Sequence, residues 1–378
     1  MKKFLQVYLI LFLSFVSVSL VACDNSRDLY ILNWDEYIDE DLIEQFEELY
    51  DCNVILDIAQ SNETMFTKIM SDSAPYDLAF PSDYMIGQMI ECDEAGVDAP
   101  IIQKIDFSKL KNYQANMFDE KLLNIAERDC AELAGYYVPY FWGSLGIMYN
   151  TDNLSEEQVA TIQEKGWAVL FEKELLGDVK IAMYASARDS IASALLYKGY
   201  SINTTDEKEL EEAALALEGM NYVSWATDEL KTGVASGKYD VALVYSGDFF
   251  DTLYSVYEES DDPHISFDMY APQDVNNVFF DAMVIPNTHN PKNDELVYQF
   301  IDFMLDYDNA LQNASYVGYC PTQALVYEAM LTDPEFEGIT DLVVYYPGNI
   351  DDKGGEIYKY LGTKTYELYD KIFKRVKK

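Results

Sequence analysis

The feature that most limits the folds open to this chain is a repeated alternation of a short β-rich run, a polar turn and a stretch with helical periodicity. Such alternation predicts an α/β fold with largely parallel sheets, because a crossover helix brings the chain back to begin the next strand in the same direction. The first unit reads as a strand over 29–33, a turn from Trp34 to Tyr37, and a helix over 39–50 with Leu42, Ile43, Phe46 and Leu49 on one face. A strand over 53–58 follows, then Ser61 as the cap of a helix over 63–71. Next comes a strand over 76–80 that ends at Pro81, where Ser82 suits the next N-cap. Strands over 135–140, 179–184, 239–245 and 279–285, helices over 188–197 and 207–217, and a closing helix over 358–376 continue the plan.

The N-terminus indicates the compartment. Lys2 and Lys3 precede an uncharged, mostly apolar run from Phe4 to Ala22, the pattern of an export signal. Leu20-Val21-Ala22-Cys23 resembles the lipobox cut by the bacterial lipoprotein signal peptidase, so residues 1–22 are expected to leave and Cys23 to become the lipidated first residue. An uncleaved anchor helix is the alternative, since about 19 apolar residues just span a bilayer. Either way the remainder is expected outside the cytoplasm, held at the cell membrane. No second run approaches the roughly 18 apolar residues of a membrane span, so the chain is not itself a channel and transport would need partners. A mature chain of about 350 residues exceeds the size at which one core stops growing, so two lobes are expected.

The formal charge is -41, from 67 acidic and 26 basic residues, which disfavours nucleic acid and anionic ligands and concentrates cations near the surface. Charge alone identifies no site, because most of these carboxylates must be solvated. Cys52, Cys92, Cys130 and Cys320 are widely spaced without a CxxC pair, so no zinc site is expected; disulfides and buried thiols both stay open. No cofactor is called for.

In open parallel sheets, ligands bind outside the carboxyl ends of the strands, where connecting turns converge. Here those turns share a composition: Trp34-Asp35-Glu36-Tyr37, Ser82-Asp83-Tyr84, Ser186 to Asp189, and Tyr245 to Asp248, with Phe279-Phe280-Asp281 read at the start of its strand. An aromatic ring attracts a cation by about 0.5–2 kcal/mol, and a carboxylate accepts charge-assisted hydrogen bonds from an ammonium. Together they suit an aliphatic chain with cationic ends. Each turn also has a purely structural reading: Trp34 and Phe280 as core aromatics, Asp35 or Ser186 as helix caps, Asp83 as a solvated side chain.

At these same turns the chain resembles the spermidine/putrescine-binding proteins of polyamine ABC transporters, from about Leu29 to the C-terminus. The markers are Asn33-Trp34-Asp35-Glu36-Tyr37, Ser61-Asn62-Glu63-Thr64-Met65, Tyr76-Asp77-Leu78, Pro81-Ser82-Asp83-Tyr84 and Pro139-Tyr140-Phe141-Trp142-Gly143, followed by Gly199-Tyr200-Ser201, Phe280-Asp281, Gly318-Tyr319 and Tyr346-Pro347. The resemblance implies a two-lobed periplasmic-binding-protein fold of type II with chain crossovers and a ligand in the interlobe cleft. One lobe would comprise residues 23–138 and 278–325, the other 139–277 and 326–378. It further implies a monomeric, non-enzymatic binding protein that delivers a polyamine to a membrane permease driven by a separate ATPase.

By that resemblance Trp34 and Tyr37 line the pocket, Ser82 and Tyr84 contact the amine region, and Asp281 holds an amino group with Phe279 nearby. Tyr245 stands where the family usually has tryptophan, Asp248 matches an acid of putrescine-selective members, and Tyr319 matches a pocket tyrosine. Around Ser186 and Asp189 one acid remains where spermidine binders have two, with Asp35 a candidate replacement beside Glu36. Tyr358 falls where spermidine binders place glutamine. Spermidine and putrescine both remain open.

Two other classes of function make different demands on these turns. Capture of an anion predicts arginines at the turns, and Arg188 is the only basic residue among them; a ferric site built from tyrosines is not excluded by composition, with 31 tyrosines present. A hydrolase would need paired carboxylates or a Ser and His arrangement, yet His264 and His289 fall outside the cleft turns and no GxSxG occurs.

Overall fold

The computed structural model describes residues 27–377 except 72–73, 93–98, 260–263, 334–335, 337–338, 340–341 and 352, so the expected leader over 1–22 and Cys23 lie outside the described residues. Among the described residues no helix is long and apolar enough to cross a membrane.

The architecture is mixed α/β. Asp28–Asn33 forms the centre of a three-stranded parallel sheet, with Asn53–Ile58 on one side and Leu78–Ala79 on the other. The helix Glu40–Tyr50 returns the chain between the first two; Asp39 caps it by accepting from the Asp41 amide, and Leu42, Ile43 and Phe46 are buried. Leu49 is 65% exposed, contrary to its periodicity. Tyr50, its ring tilted against Phe46 at 4.6 Å, closes that face in its place.

The middle of the molecule is organised by one strand. Val138–Asn150 is buried at every position and far longer than its sequence pattern suggests. Its first half pairs antiparallel with Asn276–Met283, and its second half with Val241–Tyr245 and Phe267–Tyr270. Beyond Val241–Tyr245 the sheet continues in parallel through Ile181–Tyr184 to Ser224–Ala226. Glycine at 143 hides the strand from pattern reading, and glycine inside a strand marks a close approach. A Cβ there would lie 2.7 Å from the Phe279 ring and 2.8 Å from Ser246 Oγ, so the bare backbone makes room for both.

Two hydrophobic clusters stabilise these layers. One gathers Leu29, Phe46, Phe80, Trp142 and Phe280 around the first sheet and extends under the second; the other packs Leu145, Ile191, Leu195 and Leu243 beneath the far face, closed by Tyr369 and Ile372 of the helix Thr363–Val376. The four described cysteines are all free and buried.

Candidate functional site

The geometry of the site starts where the first sheet meets the strand Asn276–Met283. Isolated antiparallel bridges join Ala79 to Val284 and Ser82 to Asp281. Between Asp281 and Ala282 the pairing with Val138–Asn150 slips by a bulge. Bulges bend a strand and re-aim its side chains, and this one falls at the acid. Phe279-Phe280-Asp281 therefore lies inside its strand rather than at the start. Strand alternation does the rest: Phe280 is wholly buried in the core, while Phe279 and Asp281 share the opposite face.

Asp281 is 6% exposed. Its Oδ2 accepts from the Tyr37 hydroxyl at 2.7 Å and its Oδ1 from Ser82 Oγ at 2.6 Å. Burial pushes its carboxyl up to about 6, with the Ser82 and Tyr37 hydroxyls pulling partly back. Ser82 does occupy an N-cap position, of Asp83–Glu91, but makes no capping bond with its side chain. Its hydroxyl is committed to Asp281 and to Asn62, whose amide donates at 2.9 Å. Asp83, read as a solvated alternative, is completely buried and accepts from the Tyr84 and Phe280 amides, with burial raising its carboxyl well above the usual range.

The turn after the first strand supplies the next wall. Trp34 is half-buried and its indole N–H donates to the Phe80 carbonyl at 2.7 Å, which fixes the ring plane. Asp35 and Glu36 are exposed, and Glu36 takes a left-handed φ of 51°. A side-chain-bearing residue pays about 1–2 kcal/mol for that conformation, as residues at functional turns often do. Tyr37 is buried edge-on among Tyr140, Phe141 and Tyr319, at 5.7, 5.4 and 5.1 Å between ring centroids.

The facing wall comes from the second sheet. Asp189 Oδ1 accepts from the Tyr245 and Tyr358 hydroxyls at 2.6 and 3.0 Å. Ser186 is the N-cap of Ala187–Lys198, accepting from the Asp189 amide at 3.4 Å. Tyr245 sets its edge against Phe279 at 4.9 Å, and Phe279 reaches Tyr319 at 6.5 Å. Tyr319 lies flush on Gly247, where a Cβ would come within 1.8 Å of the ring. Asp248, one residue on, is 15% exposed with Lys231 Nζ 3.9 Å away. Burial lifts its carboxyl to about 6, opposed by Lys231 and reinforced by Asp228 and Asp251.

All of the sequence-derived candidates, Trp34, Asp35, Glu36, Tyr37, Ser82, Tyr84, Ser186, Asp189, Tyr245, Asp248, Phe279, Asp281, Tyr319 and Tyr358, line one cavity of about 1070 Å³. Also there, and not foreseen, are Lys231, Asp251, Tyr184 and Tyr366. Lys231 sits on Glu229–Ala235, which follows a strand of only three residues, too short to leave a β pattern. The Arg188 guanidinium rests on the rings of Tyr84, Tyr358 and Tyr366 at 4.5, 4.7 and 5.2 Å and donates to the Lys359 carbonyl. It is thereby engaged by the protein rather than offered to an anion. His264 and His289 are absent from the cavity lining: the first contacts Asp152, the second Gln103. Among the described residues no cluster of three or more His, Cys, Asp or Glu is placed to hold a metal ion.

Chemically, the cavity offers buried acids held by neutral hydroxyls beside flat rings. That environment favours a cation with apolar segments.

The profile of bacterial extracellular solute-binding proteins matches residues 41–338. The chain is 30% identical over 365 residues to the spermidine/putrescine-binding periplasmic protein of Escherichia coli, covering 96% of this chain and 95% of that one. Among solved structures, the spermidine/putrescine ABC transporter substrate-binding protein PotD of Streptococcus pneumoniae superposes with a TM-score of 0.73 at 30% identity, over 93% of this chain and 99% of that one. A Listeria monocytogenes protein assigned to spermidine/putrescine ABC transport gives 0.75 at 32% identity over the same shares.

Proposed function

The chain belongs to the bacterial extracellular solute-binding protein family, transport proteins rather than enzymes, and on that premise we propose that it captures a polyamine, spermidine or putrescine, as the binding component of an ABC transporter. The observation that carries this reading is Asp281: a buried carboxylate held by two hydroxyls, in a cavity also lined by the rings of Trp34, Phe279 and Tyr319, and, among the described residues, in no ion pair with a lysine or arginine. An alkylammonium supplies the missing charge while its methylenes lie against the rings. Asp189, with Tyr245, Tyr84 and Tyr358, receives the remainder of the ligand, and Asp248 borders it beside Lys231. Ser186 and the rim acids Asp35 and Glu36 border the entrance.

The two lobes of this reading are residues 23–138 with 278–325, and 139–277 with 326–378; Val138–Asn150 carries the chain between them. Amine bound across both walls favours the closed form, which a membrane permease then engages while a separate ATPase supplies the energy. The protein acts as a monomer outside the cytoplasm, tethered through lipidated Cys23.

Titration calorimetry of the purified protein against putrescine, spermidine and maltose tests the reading. Micromolar or tighter binding of an amine, with no heat from the sugar, is expected. Heat from maltose alone would overturn it.

A further inference from the structure

The acids of the cavity are not equally available. Asp281 and Asp189 are each held by hydroxyls, Tyr37 and Ser82 for the first, Tyr245 and Tyr358 for the second. Among the described residues neither makes an ion pair with a protein cation. Asp248 and Asp251 differ. They lie three residues apart on Ser246–Glu259, hence on one face, and both face Lys231 from Glu229–Ala235. Lys231 Nζ stands 2.6 Å from Asp251 Oδ2, donating a hydrogen bond, and 3.9 Å from Asp248 Oδ1. Its side chain is 20% exposed, and Lys231 is the sole lysine among the described residues lining the cavity. Asp228 and Glu229, at the start of the same helix, also border this end.

We propose that Lys231 is a specificity-determining residue that sets how much positive charge the cleft accepts. With the protein's own ammonium hydrogen-bonded to Asp251 and facing Asp248, the ligand's charged ends go to the buried, hydroxyl-held Asp281 and Asp189, so the cleft takes a dication in preference to a trication. A third ammonium directed at Asp248 meets a like charge already in place and must displace it. The inference rests on the polyamine reading and names the charge class of ligand within it.

Calorimetry of wild type, Lys231→Met and Lys231→Arg against putrescine and spermidine tests it, with thermal melts to verify folding. Methionine keeps the apolar stem and removes the charge. Wild type is expected to favour putrescine, Lys231→Met to shift the affinity ratio toward spermidine by about ten-fold, the weight of one charge-assisted hydrogen bond, and Lys231→Arg to keep the wild-type ratio. A merely structural lysine would weaken both ligands together and leave the ratio unmoved. The double variant Lys231→Met with Asp251→Asn, which removes one charge of each sign, carries the same expected shift should the single variant fail to fold. An unmoved ratio in amine-binding protein, or a wild type that prefers spermidine, overturns the role of Lys231 while leaving the polyamine reading intact. Failure of both wild type and variant to bind either amine overturns the polyamine reading itself, and this inference with it.

Discussion

Asp281 and Asp248 occupy one cavity, and burial lifts both to about 6, yet they are kept in opposite ways. Asp281 is gripped by hydroxyls from Tyr37 and Ser82, which orient it without cancelling its charge. Asp248 faces an ammonium that the protein itself supplies, 3.9 Å away and hydrogen-bonded to Asp251. A hydroxyl-held acid is preorganised for a cationic guest, whereas a lysine-held acid already has one. The first wall is therefore the place where replacing one atom should cost most.

The comparison breaks most directly at Asp281→Asn. Loss of a buried charge partner typically costs 2–5 kcal/mol, so amine affinity should fall by about a hundred-fold or more in calorimetry. The same variant should melt a few degrees higher without ligand at neutral pH. Because the folded carboxyl is raised, its burial costs nothing below the ordinary value of 3.8 and the full amount above about 6, and the amide removes that cost. If Asp281→Asn binds amine as wild type does, the two walls are not different in kind.

Next in size is Gly247→Ala. Its methyl would enter the Tyr319 ring, which contributes to both walls and must shift to admit it, so about a ten-fold loss of affinity is expected together with a melting temperature lower by a few degrees. An intact affinity would show the ring to be dispensable.

Acid bears on the first wall directly. A ligand ammonium needs Asp281 ionised, so affinity should hold above about pH 7 and decline by up to ten-fold per unit as pH falls below about 6. Isothermal titrations from pH 5 to 8 follow this directly, and a flat profile would mean that Asp281 carries no ligand charge. The smallest effect expected is that of Tyr37→Phe. Removing one hydroxyl that favours the ionised form should weaken binding by about five-fold and move the acid midpoint upward. A downward move would contradict the assignment of that hydrogen bond.

The turns at the strand ends were legible because their chemistry is local: Trp34, Tyr37, Ser82 and Asp281 belong to short stretches whose strand and helix signals are clear on either side. What stayed hidden depended on distant partners. The strand through Gly143 reads as broken until Phe279 is seen filling the gap. Ser82 reads as a cap, yet its hydroxyl is committed to an acid almost two hundred residues away. Lys231 escaped notice because Ser224–Ala226 leaves too faint a β pattern and because one more acid near it, Asp251, is unremarked in a chain with 67. Leu49 shows the converse, a correct helical period with an exposed outcome.

The four buried thiols have a consequence for the life of the chain outside the cell's reducing interior. Burial drives the Cys130 and Cys320 thiols far up, so in the finished fold these two hold hardly any thiolate to attack or be oxidised. Their hazardous interval is the passage between export and completed folding, when sulfur meets oxidant unshielded and wrong pairings can form.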